Sequence, residues 1–112
     1  MKSVALLATV AAVFSLVSAS AFAAPDAEAA QKYAKDNGCT KCHAVDKTKK
    51  GPPYTKTAAK FKGKADAEAK LFDQLTKGPK VKFEDGTEEE HKALDTKESA
   101  QIKNLVQWIL AQ

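Results

Sequence analysis

Apolar residues fall at helical spacing in several stretches of this chain, and polar or turn-forming residues separate them. The clearest pattern is the last one. Ile102, Leu105, Val106 and Ile109 lie at i, i+3, i+4 and i+7, which predicts a helix from about Thr96 to Ala111 with one apolar face. An alanine-rich stretch opened by Pro25-Asp26 predicts a first helix to about Asp36, with Asn37-Gly38 as its left-handed stop. A short helix over roughly Thr55 to Lys62 carries Ala58, Ala59 and Phe61. A further helix, capped by Asp66, runs to about Lys77 and is stopped by Gly78-Pro79, with Leu71, Phe72 and Leu75 on its inner face. Lys47 to Pro53 shows no apolar periodicity and reads as a basic loop stiffened by two prolines.

The stretch from Lys80 to Asp95 is the least regular. Asp85-Gly86 signals a turn, and Thr87-Glu88-Glu89-Glu90 matches a capping box that would start one or two helical turns holding His91 and Leu94. Val81 to Phe83 is too short to count as β alternation, so the pattern predicts an all-α chain.

Ahead of these elements, Lys2, the apolar run from Val4 to Val17, and Ala21-Phe22-Ala23 form a positive start, a core and a small-x-small cleavage site. The apolar core is short for a membrane span and is diluted by Thr9, Ser15, Ser18 and Ser20. Residues 1–23 are therefore expected to be a cleaved export signal and residues 24–112 a single domain, without membrane insertion after cleavage. A chain of that size has a marginal core unless something else adds to it. All 18 basic residues are lysines, against 14 acids. Loss of Lys2 lowers the formal charge from +4 to +3, too small an excess for a nucleic-acid partner.

Candidate chemistry centres on Cys39-Thr40-Lys41-Cys42-His43. This C-x-x-C-H spacing lets two thiols add to the two vinyl groups of one porphyrin while the following imidazole projects at the iron. Cys39 and Cys42 would be the thioether anchors and His43 the proximal iron ligand of one covalently bound haem c. A zinc site lacks its other half, because these are the only two cysteines, and a disulfide across two residues would be strained and close almost no loop. A thioredoxin-like dithiol is the remaining reading.

Taken with Gly51-Pro52-Pro53-Tyr54, Ala58-Ala59-Lys60-Phe61 and a C-terminal helix ending in Trp108, the motif resembles a small class I cytochrome c of the bacterial, single-haem kind. The resemblance covers most of the chain after the leader. It implies a small cytochrome c fold of three to five helices wrapped around the haem, with the N- and C-terminal helices crossing so that Ala30, Tyr33 or Ala34 meets Leu105 or Trp108. It also implies that the Pro52 carbonyl accepts a hydrogen bond from the outer ring nitrogen of His43, fixing the ring and raising its basicity.

One departure stands out. The family usually ligates the far side of the iron with a methionine before the last helix, and here the only methionine is Met1. By resemblance that ligand falls close to Lys92, next to His91, the only histidine besides His43. His91 is the expected distal ligand. Its neighbours Glu90 and Lys92 suit a solvated surface histidine equally well, and nearby carboxylates favour the imidazolium, which cannot bind iron. A lysine, an outside ligand or a vacant position are the other possibilities.

The functional expectation is a monomeric periplasmic cytochrome, not an enzyme, that carries single electrons between redox protein partners at low potential. A gas-binding or sensing haem protein, and a haem subunit of a larger oxidoreductase, are the rivals. Lys41, Lys47, Lys49, Lys50 and Lys56 lie in or near the haem-binding turn, whereas Glu84, Asp85, Glu88, Glu89 and Glu90 collect on the distal loop. That asymmetry suits docking to a partner with an acidic patch, although ordinary solvated lysines would look the same.

Overall fold

The computed structural model describes residues 24–112, so the expected leader lies outside the described residues. Four helices dominate: α1 (Ala27–Asp36), α2 (Tyr54–Phe61), α3 (Ala67–Lys77) and α4 (Ser99–Leu110). Each begins or ends where local chemistry requires it. The Asp26 side chain accepts from the Ala29 amide at the start of α1, satisfying a donor that has no partner within the helix. Gly38 (φ +74°) takes the left-handed conformation just past the end of α1, and Gly78 (φ +57°) does the same for α3. A 3-10 turn over Thr96–Glu98, with Asp95 accepting from the Lys97 amide, leads into α4, so the helix proper starts three residues later than periodicity suggests.

Asp66 departs from its expected role. Its side chain makes no capping bond and instead pairs with Lys70 Nζ at 3.1 Å, one turn along α3. The ion pair holds the Asp66 carboxyl below the usual carboxylate range.

The larger correction concerns residues 80–90. In place of helical turns, Lys80–Lys82 (β1) and Glu88–Glu90 (β2) form an antiparallel hairpin in the register Lys80↔Glu90, Val81↔Glu89 and Lys82↔Glu88. Two directly opposed Lys–Glu pairs favour this pairing. The expected turn at Asp85-Gly86 is its tip: Asp85 Oδ1 accepts from both the amide and the hydroxyl of Thr87, and Gly86 has φ +85°. Thr87 thus spends its hydroxyl on the turn rather than on a helix cap. The fold is mainly helical with this one short ribbon.

The core gathers on the two terminal helices. Ala30, Tyr33 and Ala34 of α1 share one buried cluster with Ile102, Leu105, Val106, Trp108 and Ile109 of α4, joined by Tyr54, Leu71 and Leu94. Phe61, Phe72 and Leu75 pack at its margin. Polar ties hold the same pair of helices. The Asp26 amide donates to Asn104 Oδ1 and Asn104 Nδ2 donates back to the Asp26 carbonyl, each at 2.9 Å. Tyr33 donates its hydroxyl to Glu98 at 2.7 Å, and burial, with that carboxylate beside it, pushes the phenol well above its ordinary value. Leu105, only 1% exposed, sits at the centre of this packing. Leu105→Ala is expected to destabilise the protein by about 2–5 kcal/mol in denaturant unfolding.

Candidate haem site

The end of α1 delivers the two cysteines directly. After Gly38 the chain makes a 3-10 turn over Cys39–Lys41, and the Cys39 carbonyl accepts from the amides of both Cys42 (3.1 Å) and His43 (2.9 Å). Both cysteines are partly exposed at this turn. Burial raises the Cys39 thiol above its ordinary value despite the opposing pull of Lys92.

His43 is held from three sides. Its Nδ1 lies 2.8 Å from the Pro52 carbonyl. A carbonyl can only accept, so Nδ1 carries the proton and Nε2 keeps a lone pair free for a metal. The Tyr54 ring stacks on the imidazole at a centroid separation of 5.4 Å and an interplanar angle of 19°. Trp108 in turn meets Tyr54 edge-on at 5.4 Å, which links the ligand to the buried face of α4. Gly51 occupies the third side. A Cβ there would lie 2.8 Å from Nδ1 and 2.9 Å from Nε2, closer than side-chain carbons approach one another. Burial pushes the imidazole below its ordinary value, the Pro52 bond opposes the shift, and His91 adds to it. The balance favours the neutral ring, the form that binds metals.

The loop carrying Gly51 and Pro52 is closed back onto the motif by backbone bonds. The Gly51 amide donates to Cys42 at 2.7 Å, and the amides of Tyr54 and Thr55 donate to Ala44 and Val45 at 3.0 Å each. The basic loop is therefore a fixed shelf beneath His43.

His91 approaches from a segment far away in sequence. Its ring centroid lies 6.2 Å from that of His43, with the two planes at 47°. Two imidazoles bound to one metal from opposite sides through ~2 Å metal–nitrogen bonds have centroids roughly 6 Å apart, so the spacing fits a shared iron. The His91 Nδ1 lies 3.0 Å from the Lys92 carbonyl, which again places the proton on Nδ1 and leaves Nε2 free. The backbone around it is anchored on both sides: the His91 amide donates to Pro79 (2.9 Å), just before β1, and the Leu94 amide to Leu75 (2.7 Å) in α3. Gly78 permits this approach, since a Cβ there would meet the His91 carbonyl oxygen at 2.6 Å. Lys92, the neighbouring candidate, instead donates its ammonium to the Asn37 carbonyl at 2.7 Å, at the end of α1.

The structure thus brings Cys39, Cys42, His43, Pro52 and His91 to one place. Sequence reasoning missed the steric demands on Gly51 and Gly78 and the stacking of Tyr54. A glycine before Pro52 and one after α3 were visible as turn signals, but the ring and carbonyl they make room for were not.

These features define a class: small, mainly helical proteins built around a C-x-x-C-H turn. A cytochrome c family model matches residues 27–112, and the chain belongs to that family, as one of its small class I bacterial members. It accordingly carries one covalently attached haem c. The class 1 cytochrome MtoD from Sideroxydans lithotrophicus ES-1 superposes with a TM-score of 0.76 at 56% identity, over 79% of this chain and 97% of that one. Nitrosomonas europaea cytochrome c552 gives 0.57 at 29% identity, over 71% and 95%. Cytochrome c-552 of Hydrogenobacter thermophilus is 32% identical over 72% of this chain and 79% of its own. Cytochrome c-551 of Pseudomonas aeruginosa is 48% identical over 39% of this chain and 42% of its own length. The cytochrome c-551 of Allochromatium vinosum matches over 58% of its length, so the chain spans less than two thirds of both these curated relatives.

Gly51→Ala is expected to tilt or displace the His43 ring and to destabilise the holoprotein by about 1–3 kcal/mol. Thermal unfolding followed at the haem absorbance band checks this. A wild-type melting temperature would show that the ring yields without cost.

Proposed function

We propose that this protein is an exported, periplasmic cytochrome that carries single electrons between redox protein partners. In this reading Cys39 and Cys42 hold the haem through thioethers, His43 is the proximal ligand and His91 the distal one. The observation that carries it is the 6.2 Å separation of two imidazoles whose Nδ1 atoms are both turned to backbone carbonyls. The haem, when bound, supplies a one-electron ferric/ferrous couple. The chain contributes a pair of ligands that stay in place in both oxidation states, so little has to reorganise on transfer.

His43 is oriented by Pro52, Gly51 and Tyr54, and His91 by the anchorage of its backbone on Pro79. With His43 and His91 both holding the iron, no separate acid–base group would face a substrate, which favours a carrier over an enzyme. The absence of a methionine from residues 24–112 removes the ligand that raises the potential in methionine-ligated members, so a low potential follows from the ligand set. Among the described residues no helix is long and apolar enough to cross a membrane. Export rests on the leader pattern in residues 1–23.

Docking would use the lysines around the haem-binding turn. All five are exposed, but Lys49 donates to the Thr40 carbonyl and Lys50 pairs with Glu89, whereas Lys41, Lys47 and Lys56 make no such contact among the described residues. The acidic segment is itself faced by Lys80 and Lys82 across the hairpin. Attraction to an acidic partner would then act mainly on the association rate and weaken with salt.

Three measurements test the reading. Replacing both cysteines (Cys39→Ser with Cys42→Ser) should abolish haem that survives denaturing electrophoresis and leave the chain largely unfolded. His91→Ala should convert a low-spin ferric spectrum to high-spin and let carbon monoxide bind the ferrous form freely. An unchanged low-spin spectrum would remove His91 as the ligand, and free binding of carbon monoxide by the unaltered protein would favour a gas-binding role. His91→Met should raise the midpoint potential by on the order of 100 mV.

A further inference from the structure

The two walls of the site come from segments with few ties to each other. One wall is the loop that carries Gly51 and Pro52 against His43, and the other is the hairpin whose second strand runs directly into His91. A cleft of about 300 Å³ lies between them, lined among others by Lys49, Lys50, Pro52, Lys56, Lys82 and Phe83. Lys50 crosses it. Its ammonium donates to Glu89 Oε1 at 2.5 Å and lies 4.9 Å from the centroid of the Phe83 ring. Among the described residues no other hydrogen bond or ion pair joins this loop to the hairpin.

The positions of the two partners give the bridge its leverage. Lys50 immediately precedes Gly51, which is packed on the His43 ring, and Glu89 lies two residues before His91. A displacement of the hairpin from the loop would carry the His91 backbone with it, because β2 leads into that residue without a turn. The His91 amide itself donates to Pro79, just before β1, and at its other end the segment is fixed to α3 through the Leu94 amide and the Leu75 carbonyl. The ion pair is therefore the tie on the side facing the proximal loop.

Resting on the assignment of His91 as distal ligand, we propose that Lys50 and Glu89 form a clasp that holds the His91 arm over the iron. The clasp sets how often that imidazole leaves to admit an outside ligand. Lys50 and Glu89 are positioning residues: neither touches the reacting centre. Both side chains are about half exposed, so a modest effect is expected, and one that salt screens.

The test is carbon monoxide association with the ferrous holoprotein, followed by stopped flow, where binding requires His91 to leave first. Lys50→Gln and Glu89→Gln should each speed association about two- to fivefold, the scale of one exposed ion pair, while the resting ferric spectrum stays low-spin. Because the residues act as one unit, the double variant should be no faster than the faster single one. High salt should accelerate the unaltered protein and leave Lys50→Gln unmoved. Wild-type rates in both single variants, or accelerations that multiply in the double variant, would overturn the clasp. His91→Ala separates the two levels of the argument. If it binds carbon monoxide no faster than the unaltered protein, the ligand assignment fails; if it alone is fast, the ligand stands and the clasp fails.

Discussion

Two imidazole rings held about 6 Å apart, from residues 48 positions apart in sequence, are the constraint around which this fold is arranged. Bringing them together means fixing two loops that have no tendency to lie near each other and whose closure costs chain entropy. Each ring is oriented in the same way, by a backbone carbonyl facing Nδ1, so that the remaining nitrogen is committed to one direction. The two supports differ in kind. His43 rests on a loop closed by backbone bonds and on an aromatic stack that reaches the core through Trp108. His91 hangs from the end of α3 and from a charged ribbon.

That difference has a consequence for dynamics. The proximal side shares packing with the most buried part of the molecule, whereas the distal hairpin has exposed glutamates along β2 and only Val81 and Phe83 partly covered nearby. Segments with few buried apolar contacts open at lower free energy than the core. The hairpin side is thus the one where local opening would begin. Haem provides the apolar mass that a domain of this size otherwise lacks, and Cys39 of the C-x-x-C-H turn packs against the core cluster that α1 and α4 share.

Local rules account for much of what was legible beforehand. The four helices, the glycine stops at Gly38 and Gly78 and the tip at Asp85-Gly86 all depend on residues within one turn of each other. So does the C-x-x-C-H turn. Misreadings occurred where two local rules compete for the same residues. Thr87 to Glu90 satisfies a helix-capping pattern, yet Thr87 is used by Asp85 and the glutamates are drawn into a ribbon by Lys80 and Lys82. Asp66 had a helix to cap and a lysine one turn away, and the ion pair prevailed.

By itself, then, the sequence determined the cofactor and its anchoring turn, the helical faces that bury Ile102, Leu105 and Val106, and the absence of a methionine from residues 24–112. Tertiary structure decided which of the remaining residues faces His43. It did so through Gly78, whose missing side chain lets the His91 backbone approach, and through Lys92, which is drawn off to Asn37. Helical periodicity and thiol spacing are properties of neighbours along the chain. The separation of two rings is a sum over every turn, cap and strand pair between them, so it exists only once all of them have formed.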